Sequence, residues 1–332
     1  MTHPTSKRFD RAFRLSKERI LYNSTDCCVG RIHNPHKAGK MRLLTTAIGL
    51  SFFLVLGLAP FRSANAQGSE SGSDGIAAIK NAAAKSSCAA IYWKNHRGFA
   101  PKSYIEGMAL VFARSLCHPD RPDVAVVSQA VDTTKAKTDA LAAYDQKFKQ
   151  LHLNNDSTGL DTFRHSYVLL LGLGMMESSG NYCEGRDVSQ CFNDADSAEA
   201  GLFQTSYGVR RVSHVLNELF QHYSQDQHGC MLDEFKGNLS CKIVKSHNPK
   251  CPDATSDVVG SGAGADWQRL TKSCPAFAAE YAAVVLRTSG GLKGEFNPVR
   301  KMQADVRPEC DEMFKDVQTY VQRNPQVCAA LN

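Results

Sequence analysis

Residues 167–180 read Tyr167-Val168-Leu169-Leu170-Leu171-Gly172-Leu173-Gly174-Met175-Met176-Glu177-Ser178-Ser179-Gly180. From Tyr167 to Met176 the run is apolar on every side, the pattern of a helix enclosed by the rest of its fold. Asp161 or Thr162 is placed to cap its start. One carboxylate, Glu177, stands where this enclosed element reaches the surface. Burial beside Met175 and Met176 disfavours its ionised form, as does the negative pole of a helix that stops at Gly180. Both effects raise its pKa, and a tenfold change in its ionisation equilibrium corresponds to about 1.4 kcal/mol. A carboxylic acid that keeps its proton near neutral pH is the group that breaking a glycosidic bond requires. His165 lies about three turns earlier, too far along the helix to share a site with Glu177.

After Gly180 come Asn181-Tyr182-Cys183-Glu184-Gly185-Arg186-Asp187, then Cys191 and Asn193-Asp194-Ala195-Asp196. Turn formers and acids predict a loop or short hairpin, with Cys183 and Cys191 as the expected clamp. Asp194 and Asp196 lack the remainder of a calcium-loop pattern and read as a polar turn. The segment ends in Gly201-Leu202-Phe203-Gln204-Thr205-Ser206-Tyr207-Gly208.

Glu177-Ser178 at the end of an apolar helix, followed by Gly201-Leu202-Phe203-Gln204, resembles the signature of soluble lytic transglycosylases and goose-type lysozymes, in which Glu-Ser precedes Gly-Leu-Met-Gln. The resemblance covers about residues 160–290. It implies a mainly α, lysozyme-like helical domain with a short hairpin or loop region beside the cleft. Glu177 then matches the catalytic acid, Ser178 its neighbour, Gly201 and Leu202 the turn, and Gln204 the glutamine facing the cleft. Tyr207 joins the expected substrate contacts. The family's late Ala-Tyr-Asn-Ala-Gly helix is matched by Tyr281, whereas Ala282 and Val284 replace its Asn and Gly. Glu280 beside it reads as a helix-surface acid.

The implied activity is cleavage of peptidoglycan between N-acetylmuramic acid and N-acetylglucosamine. In a lytic transglycosylase the sugar's own 6-hydroxyl attacks, and in a hydrolase a water does. Asp187, Asp194 and Asp196 are the candidates for a second carboxylate that positions that water. Chitin as substrate, and a non-catalytic glycan-binding envelope protein, are the alternatives. The expected partners are peptidoglycan glycan strands. No cofactor is expected, since neither a phosphate-binding glycine loop nor a metal cage is evident. The spacing of His222, His228 and Cys230 fits no standard zinc pattern.

Residues 41–66 have the n-, h- and c-regions of a secretory signal that ends in Ala64-Asn65-Ala66. If the apolar stretch 43–61 were retained it would be a membrane anchor. Residues 1–40 form a basic segment with two readings, an extension ahead of the signal or sequence upstream of a start at Met41. Of the 39 Lys and Arg and 33 Asp and Glu, eleven basic and three acidic residues precede the cut, which leaves net −2. That balance excludes a nucleic-acid binder.

Ten of the twelve cysteines follow the cut, an even number that predicts disulfides and an exported, periplasmic or extracellular location. Cys88 with Cys117 and Cys310 with Cys328 are the further expected pairs. The domain reading is a tether at 67–75, an N-terminal helical region at 76–152 and a catalytic domain at 153–332. Along these segments, helices are expected at 76–89, 103–117, 132–151, 212–225, 266–287 and 305–323. Trp93, His96, Arg97 and Phe99 are expected in a loop, with Trp93 packed in the core. Asn155-Asp156-Ser157 has the form of a glycosylation acceptor, a weak signal.

Overall fold

The computed structural model describes residues 72–186, 194–241 and 257–332. These residues are mainly helical. In chain order the helices are α1 (Gly72–Lys85), α2 (Lys102–Cys117), α3 (Pro122–Val127), α4 (Ala140–Ala143), α5 (Asp145–Gln150), α6 (Leu160–Ser178), α7 (His214–Gln225), α8 (Leu232–Lys236), α9 (Ala263–Ser273), α10 (Pro275–Thr288), α11 (Asn297–Arg300) and α12 (Pro308–Arg323). A two-stranded antiparallel hairpin, β1 (Tyr92–Trp93) and β2 (Gly98–Phe99), lies between α1 and α2. Residues 92–99 therefore form a hairpin where a loop was expected. Among the described residues no helix is long and apolar enough to cross a membrane.

Two helices sit at the centre. In α6 residues 162–175 are all buried, and in α10 only Thr288 is not. Ala276, Ala278, Ala279, Ala282 and Ala283 give α10 a small-residue surface that neighbours approach closely. The expected single helix at 266–287 is two, because Pro275 takes the first position of α10 just after Cys274 and has no N–H to continue α9. One continuous hydrophobic core runs from Ile79 to Leu331, and residues on both sides of the expected boundary at 153 share it.

The expected helix at 132–151 is broken into short pieces. Asp132 and Asp139 turn their carboxylates onto the backbone N–H groups of Thr134 (3.0 Å) and Leu141 (2.9 Å), each starting a new turn. Between them the carbonyls of Ala136, Lys137 and Thr138 accept from Leu292, Lys293 and Gly291 instead of from a helix of their own.

Four disulfides are present among the described residues: Cys88–Cys310, Cys117–Cys328, Cys183–Cys241 and Cys230–Cys274. The three pairings expected from proximity in sequence are corrected. Cys88 and Cys117 flank the 16-residue α2, and Cys310 and Cys328 flank much of the 16-residue α12. Helices of that length span about 24 Å, several times the Cα separation a disulfide tolerates. Instead the turn after α1 is stapled to the start of α12, and the end of α2 to the turn after α12. Cys183 reaches forward to Cys241, and Cys191 lies outside the described residues. The bridges suit an oxidising compartment.

Glu280 is not a surface acid. It is 1 % exposed, and its carboxylate accepts from Arg114 at the end of α2 (2.6 Å), from Arg121 just before α3 (3.1 Å at the longer contact) and from the Tyr223 hydroxyl of α7 (2.8 Å). Burial alone would push its pKa up. The two guanidiniums outweigh burial and hold it at about 2. A carboxyl depressed in the folded state contributes stability that is present above its ordinary value of 4.5 and is lost as pH falls towards about 2. Removing the carboxylate strands the buried Arg114 and the half-buried Arg121, a loss of about 3–5 kcal/mol. Glu280→Gln should therefore lower the urea unfolding free energy at pH 7 by that amount, and the wild type should weaken between pH 5 and pH 2. A change below about 1 kcal/mol would show that the cluster does not hold the helices together.

Candidate active site

The C-terminal turn of α6 is shaped by its own backbone. Ser179 adopts a left-handed conformation (φ 55°) and Gly180 follows with φ 76°, so the helix stops abruptly. The N–H of Ser179 donates to the Met175 carbonyl at 3.1 Å and that of Gly180 to the Gly174 carbonyl at 3.3 Å. Gly180 has no room for a side chain, since a Cβ there would lie 2.8 Å from the Tyr104 ring. Met176 and Glu177 emerge half-buried from this turn.

The segment 201–207 packs onto the same turn. Phe203 lies against α6 at Gly174, where an added Cβ would come within 2.9 Å of its ring. The Gln204 side-chain amide donates to the carbonyls of Gly185 (2.9 Å) and Gly201 (3.0 Å), and the Gly201 N–H donates to the Glu184 carbonyl at 3.0 Å. The chain leaving α6 is thus laced to the Gly201 turn. On the other side the Tyr281 hydroxyl donates to the Ser206 carbonyl at 3.2 Å. Glu295 accepts from both the N–H (3.1 Å) and the hydroxyl (2.6 Å) of Ser206.

The structure therefore ties Gln204 and Tyr281 to the segment that packs on α6 at Gly174, in roles other than those expected. Tyr281 is fully buried, because α10 is enclosed on all sides, and Gln204 is 9 % exposed with its amide committed to backbone. Ser178 is also buried, and its hydroxyl donates back to the Gly174 carbonyl at 3.1 Å, the habit of a helical serine. Tyr207 is sandwiched between Phe220 and the Arg210 guanidinium, which lies 3.5 Å from its ring centroid. These four expected substrate contacts form the scaffold of the site.

Of the expected second carboxylates, Asp187 lies outside the described residues. Asp194 spends its carboxylate on the Asp196 N–H at 3.0 Å, closing the predicted polar turn. Asp196 faces Arg211 (3.4 Å) and Arg210 (3.8 Å). Two acids that no sequence motif singles out stand nearer the packed segment. Glu184 follows α6 by six residues, is half-buried and accepts from the Asn181 amide at 3.1 Å. Burial raises its pKa, against the opposing pull of Asn181 and Arg97. Glu295 is likewise raised by burial, with the Ser206 bonds opposing. The signal for Glu184 was the Asn181 three residues before it in a tight turn, hidden among other polar residues.

Arg97, in the turn of the β1–β2 hairpin, donates to the Ser179 hydroxyl at 3.4 Å, and Asn95 donates to the Met176 sulfur at 3.4 Å. The hairpin turn therefore borders the end of α6. A groove of about 300 Å³ lined by Cys183, Asp257 and Lys272 adjoins the loop. A larger cavity of about 420 Å³, lined by Arg114, Arg121, Leu219 and Tyr223 among others, surrounds the Glu280 cluster and includes none of the residues around Glu177.

Cys230 is bonded to Cys274, so it cannot join His222 and His228 as a metal ligand. Among the described residues no group of three or more His, Cys, Asp or Glu is arranged to hold a metal ion. His165 is a core residue, with Nδ1 2.7 Å from the Asn155 side-chain Oδ1 and a pKa lowered by burial. Asn155 is 1 % exposed, which removes it as a glycan acceptor. The chain matches no protein-family model, no curated protein and no solved structure.

Gln204→Ala removes two buried hydrogen bonds and leaves the Gly185 and Gly201 carbonyls without them, a cost of about 1–3 kcal/mol. Amide hydrogen exchange should then speed up at Gly201, whose N–H is bonded to the Glu184 carbonyl, before it does in α6 or α10. Unchanged exchange at Gly201 would show that the glutamine does not lace the loop to the helix.

Proposed function

We infer that this chain is an exported, lysozyme-like enzyme that cuts peptidoglycan between N-acetylmuramic acid and N-acetylglucosamine, in the manner of a lytic transglycosylase. The observation that carries the reading is Glu177, half-buried on the last turn of an enclosed helix, with the Gly201-Leu202-Phe203-Gln204 turn packed on that same turn through Phe203 and Gly174. The sequence resemblance to Glu-Ser and Gly-Leu-Met-Gln supports it from an independent side, because that motif pairs the same two segments.

In this mechanism Glu177 protonates the bridging oxygen as the glycosidic bond breaks through an oxocarbenium-like state. The resulting carboxylate then takes the proton of the muramic acid 6-hydroxyl, whose oxygen closes on C1 to give a 1,6-anhydro end. Ser178, Gln204, Tyr207 and Tyr281 hold the geometry without touching the sugar. A hydrolytic outcome has its own support in Glu184, a partly shielded carboxylate fixed by Asn181 and flanked by Arg97, which suits it to orient a water.

Glu177→Gln keeps the shape of the side chain and removes its acid. It should slow solubilisation of purified sacculi, followed by turbidity, by about 10²–10⁴-fold. The unfolding midpoint should stay near that of the wild type. A variant that clears sacculi at the wild-type rate would exclude Glu177 as the acid.

A further inference from the structure

Strand alternation in the β1–β2 hairpin turns Trp93 inward, at 2 % exposure, and its neighbour Tyr92 outward. Tyr92 and Phe99 are cross-strand partners, 59 % and 64 % exposed, with ring centroids 5.3 Å apart and planes at 87°. The other large apolar side chains exposed among the described residues are aliphatic or Met: Leu160, Val212, Leu292 and Met302. The ring pair is thus a distinct feature of the surface. Its position is fixed. Asn95 and His96 both have left-handed φ, 55° and 60°, and the Arg97 N–H donates to the Lys94 carbonyl at 3.3 Å, which makes a tight hairpin turn.

The turn of this hairpin and the chain leaving it meet the end of α6. The turn touches Met176 and Ser179, which flank Glu177 and Ser178 in sequence. Past β2 the chain reaches Pro101, and a Cβ on Gly180 would lie 2.9 Å from its ring. At about 3.3 Å per residue, Phe99 is about 7 Å along the chain from that contact, a distance one or two sugar units bridge.

We propose that Tyr92 and Phe99 are a pyranose-stacking subsite that seats a glycan strand of amino sugars on its way to Glu177; this rests on the reading of Glu177 as the glycan-cleaving acid. The flat, C–H-rich face of a pyranose packs on an exposed aromatic ring. Asn95, His96 and Arg97 supply a polar, basic rim for hydroxyl, N-acetyl and stem-peptide carboxylate groups. A second protein fits less well, since a stable interface needs about 800 Å² per partner and two rings present a fraction of that.

The test measures co-sedimentation of the purified protein with sacculi, and the rate of their solubilisation, for wild type, Tyr92→Ala/Phe99→Ala and Tyr92→Leu/Phe99→Leu. Leucines keep apolar cover on the hairpin but have no aromatic face. Unfolding midpoints, read in parallel, identify a variant that has lost its fold. The subsite predicts that both pairs weaken binding at least tenfold and raise the half-saturating sacculus concentration, while the rate at saturation falls less than threefold. A leucine pair that folds and binds as tightly as wild type overturns stacking. Wild type that sediments through these rings but never solubilises sacculi keeps the subsite and refutes the cleavage reading. Self-association that the alanine pair abolishes, with sacculus binding unchanged, assigns the rings to a second copy and overturns the proposal.

Discussion

A carboxylate sealed in an apolar interior must be neutralised, and Glu280 is the place where this fold meets that constraint. Its two guanidinium partners come from the end of α2 and the residue just before α3, and its phenolic partner from α7. Those elements meet α10 in an arrangement that brings all three donors to one carboxylate. The charge is a poor source of net stability compared with packed hydrocarbon, but its loss leaves its cations behind, so the arrangement tolerates few substitutes. A comparable pairing, Arg287 with Asp139 at 3.0 Å, joins the other end of α10 to the segment before α4.

The candidate site is one residue removed from that anchor. Successive side chains on a helix point about 100° apart, so fixing Glu280 towards α2 and α7 directs Tyr281 to another face, where its hydroxyl meets Ser206. Ser206 belongs to the segment that Gln204 ties to the chain leaving α6 and that Phe203 presses against Gly174. A line of contacts thus runs from the buried ion cluster through Tyr281 and residues 203–206 to the turn that presents Glu177. The packing fixes where the turn sits, while Glu177 itself is left half-buried.

All-round apolarity made α6 legible in the sequence, and the run's abrupt end marked Glu177. The helices α2 and α7 were legible from their one-sided apolar spacing, and α12 as a charged helix. Disulfide partners were not, because pairing depends on how the elements pack and not on closeness in sequence. Residues 132–151 misled because helix-like composition there is overridden by backbone bonds to 291–293, some 150 residues away, which local pattern cannot reveal. Tyr281 and Gln204 were found by motif but assigned to the substrate; burial, a property of the assembled core, moved them into the scaffold. Tyr92 and Phe99 were missed as a pair because two-residue strands leave almost no alternation to read.

Whether Glu177 at the end of α6 breaks a glycan is the decisive question. Mass spectrometry of the soluble products from sacculi incubated with the purified protein tests this most directly. Muropeptides ending in 1,6-anhydro-N-acetylmuramic acid are the predicted result. Sacculi that stay intact and release no fragments across the range from acid to neutral pH would contradict it.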